Sequence, residues 1–129
     1  LAPPAPEPEP DDDAREAQRA LIVHTVGLMV RIEAGELRRA GEKGRVKEWA
    51  ADFYERHQIR LVQAMEPAIR TVMPRGEWRE RAAAVAAEMV AESRADLQGV
   101  SGAGAADLIA GRWEIERPST VAGRVLGGR

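Results

Sequence analysis

A chain of 129 residues is sized for one domain, long enough to bury roughly two-thirds of its unfolded surface without covalent staples. The absence of cysteine excludes a disulfide framework, a zinc ribbon and a thiol nucleophile, and suits a reducing compartment. A formal charge of −2 leaves no overall basic field of the kind that draws proteins onto nucleic acid or anionic lipid, so no direct specific contact with nucleic acid is expected.

The composition favours helices. Ala, Leu, Arg and Glu are good helix formers. The aromatics are few (Trp49, Phe53, Tyr54, Trp78 and Trp113), whereas a sandwich or barrel would use more aromatic and β-branched residues. Arginine supplies 17 of the 19 basic residues.

Residues 1–10, LAPPAPEPEP, alternate proline with acid and predict an extended linker or arm. With no Met and no apolar core, this start does not read as a secretory signal, but as the edge of a piece cut from something longer. The first helix is expected from the Asp11-Asp12-Asp13 run, with Asp13 and Glu16 in a capping-box pattern at the positive end of the helix dipole. Its run Leu21 to Val30 is apolar on nearly every side, which implies neighbours all round and room for a second chain. That run is interrupted by His24, Thr25 and Gly27 and falls short of the roughly 20 apolar residues of a membrane span. Gly41 and Gly44 mark the helix end.

A second helix is predicted over Val46 to Val72. Val46, Trp49, Phe53, His57, Leu61, Ala64, Ala68 and Val72 step by three or four along one face. Pro67 should kink or divide it. Met73-Pro74-Arg75-Gly76 is a breaker. Trp78, Ala82, Val85, Met89, Val90 and Leu97 then stripe a third helix, which Gly99 closes. A shorter fourth helix is expected over Ala105 to Glu116, stopped by Pro118, with Ser119 or Thr120 placed to cap a last turn through Leu126 before Gly127-Gly128-Arg129 frays. The fold class is therefore all-α: a hairpin of two long helices plus one or two shorter ones. Residues 11–117 form the bundle and 118–129 a short tail.

Chemistry-bearing patterns are sparse. His24 and His57 are the two candidates for proton transfer near neutral pH, and neither has a local acid set to work with. A buried histidine bonded to a backbone or hydroxyl group, or an interface contact, is the expectation for each. There is no HExxH, no Glu-x-x-His pair and no G-x-S-x-G elbow, and the glycines of GVSGAGA lack the Lys-Ser or Lys-Thr of a phosphate loop. No catalytic residue, cofactor site or metal site is therefore assigned, and a non-enzymatic role is expected. Arg31, Arg38, Arg39, Lys43, Arg45 and Lys47 interleave with Glu33, Glu36, Glu42 and Glu48, which reads as pairing on a solvated surface. Arg112, Arg117, Arg124 and Arg129 look more open, with Glu114 and Glu116 their nearest acids.

Residues 31–69, RIEAGELRRAGEKGRVKEWAADFYERHQIRLVQAMEPAI, resemble the C-terminal helical region of some tailed-phage portal proteins. The likeness lies in an Arg-Ile helix running into Leu-Arg-Arg, a short linker, then W-x-x-x-F-Y-x-x-H and an apolar stretch that ends in proline. The resemblance implies a segment of a ring-forming subunit made in the host cytoplasm and assembled into a virion. Its partners would be further copies, its parent protein or the capsid. It supplies no catalytic residues. The expected function is thus a structural assembly module acting by oligomerisation or docking, with no membrane partner. The interaction candidates are Leu21, Val26, Met29, Trp49, Phe53 and His57. The alternative is a helical regulatory domain that binds a ligand or partner between its helices, with Trp49, Tyr54 and His57 converging on a cavity.

Overall fold

The computed structural model describes residues 12–73 and 76–127. The proline-rich arm at 1–10, Pro74, Arg75 and the terminal Gly128-Arg129 lie outside the described residues. Four α-helices follow in order: α1 Asp12–Glu42, α2 Val46–Val72, α3 Trp78–Asp96 and α4 Ala103–Gly127. The fold is a small all-α bundle.

Each helix runs antiparallel to the one before it, as bonds at the two ends show. Gln18 Nε2 of α1 reaches the Thr71 carbonyl of α2, while Glu33 meets Tyr54 a few turns further on. The turn between α1 and α2 is a Schellman motif. The Arg45 N–H donates to the Ala40 carbonyl at 2.9 Å and the Gly44 N–H to that of Gly41 at 3.1 Å. Gly44 sits at φ 65°, where a side chain would be strained. Among the described residues no helix is long and apolar enough to cross a membrane.

Small residues set the most extensive interface, α1 on α4. Ala34, Ala106, Ala110 and Ala122 are fully buried, and a Cβ placed on Gly41 would lie 2.6 Å from that of Ala106. The helix backbones therefore approach closely. Helices α3 and α4 stand further apart, and long side chains span the gap. Arg81 Nη2 donates to the Arg124 carbonyl at 2.9 Å, Trp113 Nε1 to Asp96 at 2.9 Å, and Arg124 pairs with Glu92 at 2.6 Å.

Neither proline ends or divides its helix. α4 runs through Pro118 to Gly127 and is 25 residues long, so residues 118–127 are bundle rather than tail. Helix-interior proline costs about 3 kcal/mol. Beyond it, however, Val121, Ala122 and Val125 keep the helical spacing and are buried, and each valine contributes about 1.5–3 kcal/mol. Burial wins. The ring also has room, because its Cγ faces Gly27 of α1, at 3.9 Å from where a Cβ would stand. Likewise Pro67 does not divide α2, since Ala68 and Ile69 immediately after it are buried.

The apolar run of α1 is also partitioned rather than surrounded. Ile22, Val26, Met29 and Val30 face the core, while Leu21 and Leu28 are 42% and 46% exposed. The long α4 covers what a short fourth helix would have left open, so Val26 and Met29 need no second chain.

Candidate functional site

The most unusual chemistry in the molecule is a buried polar cluster to which every helix contributes. Glu33 of α1 is 1% exposed. Its Oε2 accepts hydrogen bonds from the Tyr54 hydroxyl of α2 and the Ser93 hydroxyl of α3, both at 2.6 Å. Its Oε1 accepts from Arg117 Nη1 of α4 at 2.9 Å, and the same nitrogen donates to Ser93 Oγ at 2.7 Å. The guanidinium carbon of Arg117 lies 4.0 Å from the centroid of the Trp113 ring. Arg117 Nη2 is 3.7 Å from Asp96, the same carboxylate that accepts from Trp113 Nε1.

Helical spacing puts these polar groups inside. Glu33 follows Met29 and precedes Leu37 by one turn each; Ser93 lies between Met89 and Leu97; Arg117 lies between Trp113 and Val121. Each occupies a core position in its own stripe. Burial pushes the Glu33 carboxyl above the ordinary carboxylate range, and the Arg117 charge and three donated hydrogen bonds oppose that. Burial, then the neighbouring Glu33 charge, also raises the Tyr54 phenol well above its usual value. Tyr54 is thus a fixed donor near neutral pH.

His57 completes the cluster. Its ring stacks on Phe53 at 4.6 Å, and Nε2 lies 4.0 Å from Glu33 Oε1. Neither ring nitrogen has a hydrogen-bond partner among the described residues. The bonded histidine expected from the sequence is therefore corrected to a buried, unbonded one, because Glu33 is already occupied by three better-placed donors. Burial, with Arg60 and Arg117 nearby, lowers its pKa to about 4, which keeps the imidazole neutral at physiological pH. The cluster is sealed from solvent by its own helices and fixes their relative register.

The interaction candidates separate into two groups. Val26, Met29, Phe53 and His57 are core residues, and Trp49 is half-buried against Phe53 at a ring distance of 4.6 Å. Trp49, Tyr54 and His57 do converge, but as packed rings. Leu21 alone of the six is a surface residue. It belongs to a patch the sequence reading did not assemble. Of the six exposed large apolar side chains among the described residues, five lie on α1 and α4: Leu21, Leu28, Ile32, Leu108 and Ile115. Leu28 and Ile115 stand on opposite lips of a groove of about 540 Å³ whose floor includes Val23, Gly27 and Pro118. His24 is exposed there rather than buried. Heptad spacing relates Leu21 to Leu28 and Leu108 to Ile115, so each pair repeats along one side of its helix.

The charges also pair differently from the surface pattern expected. Arg38 crosses to Asp107 and Glu114 of α4, Arg112 to Asp96 and Arg124 to Glu92, while Arg39–Glu36 and Arg56–Asp52 stay within a helix. Glu33 and Arg117, taken as solvated, are instead the buried pair. Among the described residues no group of three His, Asp or Glu side chains is placed to hold a metal ion. The chain matches no protein-family model, no curated protein and no solved structure.

Proposed function

We propose that this chain is a helical assembly module that docks through the outer face of the α1/α4 pair and carries out no catalysis. The observation that supports this is the gathering of Leu21, Leu28, Ile32, Leu108 and Ile115 on those two helices, with Ile115 81% and Leu108 76% exposed. Single exposed apolar residues are ordinary, but several repeated at helical spacing on two packed helices, with a groove between Leu28 and Ile115, suit an interface. The buried Glu33–Arg117 cluster suits such a role, because a bundle locked in register presents a rigid face. In the finer form of this reading the partner is another copy of the chain, as in a portal-like ring assembled within a virion. The resemblance of residues 31–69 is what supports that form.

Light scattering on size-fractionated protein, with Leu28→Glu and Ile115→Glu alongside, tests the proposal. The wild type should associate with rising concentration, and each variant should remain a folded monomer. A wild type that is monomeric at high concentration would overturn the second-copy form. Loss of helicity in both variants would overturn the placement of the face.

A further inference from the structure

A second cleft lies at the opposite end of the bundle from the α1 N-terminus, between the first turn of α2 and the end of α3. Its volume is about 550 Å³, within the range that takes a small organic ligand. Val46 and Leu97 form its buried floor, with Ala50 and Val100 as half-buried walls. Both charged side chains in its lining, Lys47 and Arg94, are cationic and exposed, and no carboxylate lines it. That separates it from three other clefts among the described residues. The α1/α4 groove includes Glu114, the cleft beside Trp49 includes Glu36, Glu48 and Asp52, and the one beside Trp113 includes Glu92, Asp96 and Glu116.

The helix ends here act in opposite directions. The start of α2 is the positive end of its dipole, and its N-cap Arg45 supplies no side-chain cap. The end of α3 is negative, but its turn is closed by internal bonds. The Leu97 N–H donates to the Ser93 carbonyl at 3.0 Å and the Val100 N–H to that of Leu97 at 3.1 Å. Arg94, in the last turn of α3, offsets the remaining charge. The local field is therefore positive over an apolar floor.

From this pairing of floor and rim we infer that the cleft is a binding site for a small amphipathic carboxylate, its alkyl chain against Val46, Leu97 and Val100 and its head between Lys47 and Arg94. Water-exposed cations contribute little alone, but a carboxylate held between two of them at the edge of an apolar cup is partly desolvated and gains from both. The inference is independent of the assembly proposal, since the two faces share no lining residue.

Amide chemical shifts of the full chain, titrated with decanoate, test it. Saturable shifts should centre on residues 46–50 and 97–101. Decanol, which has the chain without the charge, should bind at least about tenfold more weakly, as should acetate, which has the charge without the chain. Lys47→Glu combined with Arg94→Glu should lose decanoate by a similar factor while keeping the helical spectrum, and Lys47→Gln serves if the double variant fails to fold. Equal binding of decanoate and decanol, shifts centred on the α1/α4 groove, undiminished binding by the charge variants, or no saturable binding would each overturn the assignment.

Discussion

Glu33 and Arg117, 84 residues apart in the chain, meet inside the bundle through a 2.9 Å hydrogen bond between Oε1 and Nη1. Each lies one helical turn from large apolar neighbours, so the pair is desolvated on all sides. Its worth to the fold is consequently a matter of balance. Two charges removed from water cost several kcal/mol each, and their attraction repays that only when the remaining polar atoms also find partners. Tyr54 and Ser93 provide them for Glu33, and Ser93 accepts from Arg117 Nη1; Arg117 Nη2 makes no hydrogen bond among the described residues and is met only by the Asp96 charge at 3.7 Å, with the Trp113 ring against the guanidinium.

Removing one partner should therefore be far worse than removing both charges. Arg117→Met leaves a buried, uncompensated carboxylate and should cost about 3–5 kcal/mol in urea denaturation near neutral pH. Adding Glu33→Gln should recover a large part of the loss, because the amide oxygen still accepts from Tyr54 and Ser93 without carrying charge. An Arg117→Met penalty below about 1 kcal/mol would place the pair in solvent-like surroundings, against the burial described.

The pH dependence of stability has a sign set by His57. Its folded pKa of about 4 lies below the ordinary 6.5, so at pH 7 both folded and unfolded forms are neutral and stability is full. As pH falls below 6.5 the unfolded chain takes up a proton that the folded ring refuses, and stability declines until about pH 4 at up to 1.36 kcal/mol per unit, roughly 3 kcal/mol in all. Glu33 acts in the opposite sense. Its raised pKa means that the folded state gains relative stability as acidification neutralises the buried carboxyl. The difference between wild type and His57→Gln isolates the histidine: the variant should lack the wild-type decline between pH 6.5 and about 4. Parallel curves would show that His57 is solvated.

The helical periodicities carried most of the architecture. α2 and α3 fall where the stripes of Val46–Val72 and Trp78–Leu97 put them, because apolar steps of three or four and Gly-containing turns are local signals. The extent of α4 was hidden, since proline is read as a stop while the burial of Val121 and Val125 that overrides it depends on α1. The buried cluster was hidden for a related reason. Glu33 and Arg117 each sit in step with apolar neighbours, a sign visible in the sequence, but their neighbouring charges suggested a solvated surface. Only the antiparallel meeting of α1 and α4 brings them together. The exposed face was missed likewise, because Leu21 and Leu28 are indistinguishable from Ile22 and Met29 until α4 is placed.

Trp49 and Phe53 share a stripe but should respond unequally. Phe53 is buried, stacked between Trp49 and His57, so Phe53→Ala should cost about 3–5 kcal/mol. Trp49 is half-buried and keeps one side to water, so Trp49→Ala should cost about 1–2 kcal/mol, within the ordinary range for point substitutions. Thermal unfolding of the two variants checks the order. A reversal would mean that Trp49, rather than Phe53, anchors α2 on α1.

The two α1 glycines that face α4 give the sharpest test of how closely those helices pack. Alanine is favoured over glycine in a helix interior by about 1 kcal/mol, so either substitution should stabilise the chain if space allows. At Gly27 it does: the new Cβ would stand 3.9 Å from Pro118 Cγ, an ordinary contact. Gly27→Ala should therefore raise stability by about 0.5–1 kcal/mol. At Gly41 the new Cβ would stand 2.6 Å from Ala106 Cβ and 3.3 Å from the Ala103 Cα, and neither atom belongs to a side chain that can swing away. The first turn of α4 would have to move, and overpacking of that kind costs about 1–3 kcal/mol, more than the propensity gain. Gly41→Ala should thus lower the unfolding midpoint in urea while Gly27→Ala raises it. Because Ala106 supplies the clash, Ala106→Gly should rescue Gly41→Ala while being destabilising in the wild type, and a double-mutant cycle should return a coupling of about 1 kcal/mol or more. Additive effects would mean that α1 and α4 do not touch there.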